Sequence, residues 1–286
     1  MRFREWATKV MLIFLLFATL VLALFAGKAA KIEKNTTISN PQVIAWSEYP
    51  QARLQAAKNP EVKSQDAIKS PVKKQKVVAM YRTTQAFASY KPRYVITQVN
   101  PTNYGERYAK DINGVTLYNQ PIIVLHETSN SASSAVNFFQ TPHDNENIQA
   151  SYHTLITLDG TVVYLISPEK RAFGAGNSVF DGPNGAETVK TNPNLPPSVN
   201  NFAYHVSLET PPDAWGDDKA EYHSGYTEVQ YESLAWLIAQ SQVSDDRITT
   251  HKAVDRSGQK VDPINFDFNK FFDLLHSYRQ PLREVQ

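Results

Sequence analysis

The chain reads as an α/β protein built on a mixed central β-sheet flanked by α-helices. Three observations lead there. Residues 121–125 form an unbroken apolar run that suits a strand covered on both faces, Asp159-Gly160 is a strong hairpin signal, and segments 227–240 and 265–278 carry apolar residues at helical spacing. Strands and helices interleave without the strict periodicity of a parallel βαβ array, which favours a mixed sheet.

The elements follow in order. Residues 94–99 alternate as a strand, and Asn113-Gly114 marks a turn before the central strand at 122–125. Segment 131–139 puts Ala132, Ala135, Val136 and Phe139 at helical spacing, with Ser or Asn ahead of it as cap. Residues 154–166 make a hairpin, and 202–208 supply another strand. Thr227 caps a helix over 227–240 that turns Val229, Leu234, Leu237 and Ile238 inward. The last helix, 265–278, buries Phe268, Phe271, Phe272 and Leu275. Segment 180–199, rich in Pro, Asn and Gly, is expected to be a long loop.

Ahead of this region lie two pieces of different character. Arg2, Arg4 and Lys9 precede an uncharged run over 10–27, whose helical length of roughly 27 Å approaches the thickness of a bilayer's hydrocarbon core. It is expected to be a membrane anchor, or a signal segment that is removed. Either way the remainder lies on the exported side of the cytoplasmic membrane, in the cell envelope, because the basic flank stays inside. Residues 28–76 are rich in Lys, Gln, Pro and Asn and read as a polar basic linker, with a short helix around 45–58. The expected organisation is therefore an anchor or signal at 1–27, a linker at 28–76 and a folded domain at 77–286.

Composition narrows the chemistry. The 286 residues are 42% hydrophobic and 20% charged, with a net charge of +1, so the basic excess of a nucleic-acid binder is missing. With no cysteine in the chain, a disulfide framework, an iron–sulfur cluster and a thiol nucleophile are excluded, and a metal must use His and carboxylate ligands. His126 ends the apolar run at 121–125, where an imidazole sits near the rim of a sheet. Far downstream stand His251 and Asp262-Pro263, with Lys260 two places before the Asp. Two imidazoles and one carboxylate form a three-ligand set that leaves a position on Zn2+ open, as hydrolysis requires. Glu127 alternates to the opposite face of its strand and is a poor base.

These landmarks occur together with Thr128; Ser151-Tyr152-His153 before the hairpin; the stretch from Lys170 to Ser178; Val206-Ser207-Leu208-Glu209; Tyr226-Thr227 leading to Gln230; and Lys260-Val261-Asp262-Pro263. In that order, residues 121–273 resemble the type 2 N-acetylmuramoyl-L-alanine amidase family, which phage lysozyme-type amidases and peptidoglycan recognition proteins share. The resemblance implies zinc ligation by His126, His251 and Asp262. It implies that Glu209 takes a proton from the attacking water, that Lys260 stabilises the oxyanion, and that Tyr152 positions the water or the scissile carbonyl. His153 matches a position that is often His without being a ligand, and is expected to be hydrogen-bonded behind the site or on the substrate side. Phe173 and Asn177 are expected to contact substrate. The other histidines, His143, His205, His223 and His276, are expected to be structural or on the surface.

One departure stands out. The family commonly has Trp-His-Ala-Gly where this chain has Phe173-Gly174-Ala175-Gly176, so an imidazole that helps line the groove is lost. The implied substrate is peptidoglycan or a muropeptide, cut between the lactyl group of N-acetylmuramic acid and L-alanine. Two alternatives stay open: a recognition module that binds without cutting, and another zinc hydrolase of the cell wall. The second lacks the His-Glu-x-x-His spacing of the usual zinc peptidase.

Overall fold

The computed structural model describes residues 81–217 and 220–282. The expected anchor at 10–27, the linker at 28–76 and the short helix near 45–58 lie outside the described residues. Among the described residues, no helix is long and apolar enough to cross a membrane.

Six strands form the central sheet: β1 (Tyr94–Ile96), β2 (Ile122–Glu127), β3 (Thr154–Ile156), β4 (Val162–Tyr164), β5 (Ala203–Leu208) and β6 (Ile248–Thr250). Their spatial order is β6-β2-β5-β3-β4-β1. Strands β6, β2, β5 and β3 run parallel to one another, β4 returns antiparallel to β3, and β1 pairs parallel with β4. The sheet is thus mixed, as the sequence predicts. Its central members β2 and β5 are buried almost throughout because they are covered on both faces.

The helices are α1 (Gln85–Ser89), α2 (Ala132–Gln140), α3 (Glu228–Ala239), α4 (His251–Val254) and α5 (Phe268–Tyr278). On one face, Ile123 and Leu125 of β2 and Tyr204, Val206 and Leu208 of β5 pack with Leu234, Leu237 and Ile238 of α3 and Phe271 and Leu275 of α5. On the other, Leu155 and Val163 meet Ala132 and Phe139 of α2, while Ile122, Val124 and Ala203 meet Phe180, Val189 and Val199. The two-residue period of a strand then decides the function of neighbouring side chains. His126 shares a face with Ile122 and Val124, opposite α3 and α5, and Glu127 turns toward those helices.

Local chemistry sets the element ends. Ser131 caps α2 by accepting from the Ser134 N–H, and Thr227 and Gln230 form a reciprocal capping box on α3. At the tip between β3 and β4, Gly160 has φ 77, and a Cβ there would lie 2.8 Å from the Val229 carbonyl oxygen. A side chain is excluded both by backbone conformation and by α3 behind it.

Several expectations need correction. The strand expected over 94–99 is limited to β1, an edge strand whose residues are exposed, because only β4 pairs with it. Val229 does not face the core; it is 38% exposed, being in the first turn of α3 where the helix has not yet reached the sheet. The final helix starts at Phe268 with Asp267 as its cap, since Asn265 has φ 52, which no helix accommodates. Phe268 and Phe272 are only partly buried against that core. Segment 180–199 is no plain loop. It contains a hairpin of Phe180–Gly182 with Gly185–Glu187 and buries Phe180, Val189 and Val199 under the sheet.

Candidate active site

His126, His251 and Asp262 converge, although they come from the end of β2, the first position of α4 and a loop before α5. Each offers one ligand atom, and these atoms lie within 4.8 Å of one another. His251 Nδ1 is 3.0 Å from Asp262 Oδ1, and His126 Nδ1 is 3.5 Å from Asp262 Oδ2. The two imidazole rings have centroids 4.5 Å apart. Ligands at tetrahedral corners around zinc would be separated by roughly 3.3–3.6 Å, so the set needs little adjustment to hold the ion. The donor chemistry agrees. His126 Nδ1 is buried and has no hydrogen-bond partner among the described residues, and a nitrogen lone pair facing a carboxylate calls for a cation between them.

Electrostatics fit the same assignment. Burial, reinforced by the neighbouring His251, pushes the His126 imidazole down to about 4, so it is neutral and ready to ligate. Burial alone would raise the Asp262 carboxyl, yet the adjacent His126 and His251 outweigh it and hold the group well below the usual carboxylate range.

Two carboxylates outside the triad hold its carriers. Glu127 Oε2 accepts from His223 Nε2 at 3.1 Å, from the Ile264 backbone N–H at 3.1 Å and from the Tyr226 hydroxyl. That fixes the chain two residues beyond Asp262. Asp255 accepts from the backbone N–H groups of Ser257, Gln259 and Lys260 at 3.0, 3.0 and 3.2 Å, which shapes the loop that presents Lys260. Burial would raise the Asp255 carboxyl, but these donors bring it down to about 2. The Lys252 N–H also donates to the Asp262 carbonyl at 2.9 Å, tying α4 to the ligand loop.

Behind His126 lies a buried column of imidazoles. His126 Nε2 is 2.9 Å from His205 Nδ1. The His205 backbone N–H donates to His153 Nδ1 at 3.0 Å, and His153 Nε2 is 3.1 Å from the Lys170 carbonyl. Because His153 Nδ1 accepts, Nε2 carries its proton and donates to Lys170. Arg107 closes the column, donating to the carbonyls of Pro168, Asn200, Asn201 and Ala203. Burial lowers His153, with Arg107 adding to it, and burial lowers His205, with His126 adding to it. His153 is therefore not a substrate-side group: it is fully buried and all its polar atoms serve the interior. His205, expected to be structural or on the surface, touches His126 directly.

Tyr152, Phe173, Asn177, His251 and Lys260 line one cleft of ≈ 480 Å³. The Tyr152 ring lies 4.7 Å from that of His126, and burial, then Asp262, raises its phenol, which stays protonated as a donor. Arg171 also lines the cleft, its guanidinium 5.0 and 5.2 Å from the Tyr108 and Phe173 ring centres. Glu209 is on the His126 face of β5, two residues past Ser207, which pairs with His126. Its oxygens accept from the Ala132 N–H at 2.7 Å and the Leu158 N–H at 2.8 Å. Each keeps a second lone pair, but Glu209 is not among the residues lining the cleft.

Residues 118–265, just over half of the chain and including all three converging residues, match the family model described as N-acetylmuramoyl-L-alanine amidase. The chain belongs to that amidase family. Among solved structures, this amidase-family chain is similar to a selenomethionine derivative of AmpD at 23% identity, covering 64% of this chain and 94% of that one, with a TM-score of 0.42. It is similar to Citrobacter freundii AmpD at 23% identity, covering 64% and 90%, with a TM-score of 0.38. It is also similar to E. coli AmiD, solved with anhydro-N-acetylmuramic acid-L-Ala-D-gamma-Glu-L-Lys, at 15% identity, covering 60% and 65%, with a TM-score of 0.41. No curated protein matches the chain.

Proposed function

We propose that the protein hydrolyses the amide bond between the lactyl group of N-acetylmuramic acid and L-alanine in peptidoglycan, with zinc held by His126, His251 and Asp262. The observation that carries this reading is the convergence of those three residues, with His251 among the residues lining the cleft, within an amidase-family domain. Zinc bound there supplies Lewis acidity and makes water more acidic.

The protein's own groups divide the remaining work. Glu209 lies one same-face step, roughly 6.6 Å of strand, beyond Ser207 and so beyond the neighbour of His126. Two backbone donors fix its carboxylate, and its spare lone pairs accept the proton of the attacking water and deliver it to the leaving amine. Lys260, at the cleft, offers an ammonium to the negative charge that develops on the carbonyl oxygen. Tyr152 donates its phenolic hydrogen at the ligand side of the cleft. Phe173 and Asn177 line the same cleft, and Arg171 places a positive charge there with which a stem-peptide carboxylate would pair.

The domain is proposed to act in the cell envelope, in wall remodelling or turnover, carried there by residues 10–27 as an anchor or a removed signal. Protease treatment of intact cells tests this: the domain should be accessible only from outside the cytoplasmic membrane. For the chemistry, peptidoglycan digested by the full-length protein is analysed by mass spectrometry before and after chelation. Free stem peptides beginning with L-alanine are the expected product, lost on chelation and restored by zinc. Cut peptides would indicate a peptidase, and an unchanged wall a binding module.

A further inference from the structure

We infer that His205 is a positioning residue for the metal site, holding His126 by accepting its Nε2 hydrogen, and that this role explains why residue 174 is glycine. The inference rests on the proposed zinc site and goes beyond it. A histidine that ligates through Nδ1 must carry its proton on Nε2, and a ligating ring is oriented by whatever accepts that proton. Here the acceptor is His205 Nδ1 at 2.9 Å, and both rings are fully buried. His126 Nε2 makes no other hydrogen bond among the described residues, so on the side away from Asp262 the ring is held by this bond.

His205 is in turn fixed from two sides. It stands on β5 opposite Val124, one same-face step before Ser207, which pairs with His126. Its backbone N–H is bound by His153. Its ring lies against Gly174: a Cβ on Gly174 would be 2.5 Å from both His205 Cγ and His205 Nδ1, contacts that real structures do not tolerate. The two positions are mutually exclusive for bulk. With an imidazole at 205 there is room only for hydrogen at 174, so the histidine expected at 174 is replaced by one that reaches the same region from the neighbouring strand. One atom stays unmatched. His205 Nε2 is buried without a partner among the described residues, a cost that a purely packing role would not retain, since an apolar side chain would fill the space without it.

The test compares His205→Asn with His205→Leu in the full-length protein. The two replacements have nearly the same shape, but only asparagine offers an acceptor where Nδ1 stands. Zinc affinity is measured by competition with a chromophoric chelator, and thermal melts of the metal-free proteins check that both variants fold equally well. His205→Asn should stay within about 5-fold of the parent, and His205→Leu should bind zinc 10- to 100-fold more weakly. In the zinc-loaded parent and His205→Asn proteins, the His126 Nε2 hydrogen should give a slowly exchanging downfield resonance, absent in His205→Leu. Equal affinity of the two variants would overturn the role of His205 while leaving the zinc site standing. A parent protein that takes up no zinc would overturn the site itself.

Discussion

Removing the Glu127 carboxylate should both destabilise the domain and weaken metal binding, although Glu127 ligates nothing. Its side chain is 9% exposed and that of His223 is 0% exposed, and Oε2 collects donors from His223, Ile264 and Tyr226. In Glu127→Ala all three are left buried without their acceptor. Losing one partner of a buried charged network costs about 3–5 kcal/mol. For a domain of this size each kcal/mol lowers Tm by about 2–4 °C, so the melting temperature should fall by roughly 6–20 °C. Glu127→Gln keeps one oxygen and should lose about 1–2 kcal/mol. Because Ile264 is two residues from Asp262, the alanine variant should also bind zinc more weakly. Thermal melts of the metal-free proteins, followed by zinc titration, measure both effects. A Glu127→Ala protein melting within about 2 °C of the parent would refute the reasoning that this carboxylate anchors the ligand loop.

Other changes separate the remaining parts. Arg171→Ala should raise KM about 10-fold on a muropeptide with kcat within threefold, the pattern of lost substrate binding; an unchanged KM would remove Arg171 from the substrate wall. Gly160→Ala should cost about 2–3 kcal/mol, read by denaturant unfolding, because it combines positive φ with the clash against α3. Asp255 has a folded-state value of about 2, below its unfolded value near 4, so the unfolded chain binds its proton first as acid is added. Its contribution is complete above pH 4 and disappears as pH falls toward 2. After discount for solvent screening this amounts to about 1 kcal/mol. Asp255→Asn should flatten the acid limb of the stability curve in that window, and an unaltered limb would count against the hydrogen-bonded loop.

Much of the site was legible in the sequence because its signals are local or follow the family's order of landmarks. The run at 121–125 places His126 at a strand end, and Asp159-Gly160 fixes the β3–β4 connection. Where reading failed, tertiary packing had decided. Val229 has the right spacing but lies before α3 reaches the sheet, and Phe268 has the right chemistry but follows Asn265, whose left-handed backbone delays the helix. His205 was missed although a signal existed. In 203–209 the apolar residues Tyr204, Val206 and Leu208 face the helices, leaving His205, Ser207 and Glu209 together on the opposite side. A polar stripe inside a strand buried on both faces marks a site, and the period of two would have placed His205 beside Glu209. What the sequence could not show is the register between β5 and β2, which pairs Ser207 with His126.

The pairing of Tyr81–Thr83 with Arg279–Pro281 brings the first described strand alongside the last. That seam continues from α5, on the face of the sheet that packs on α3 and α5, whereas His126 and His205 lie on the opposite face. A tether attached at residue 81 would therefore hold the domain on the face away from His126. Tags or fusion partners joined at this edge should leave the cleft unobstructed, while insertions near residues 191–196, which line it, would crowd it.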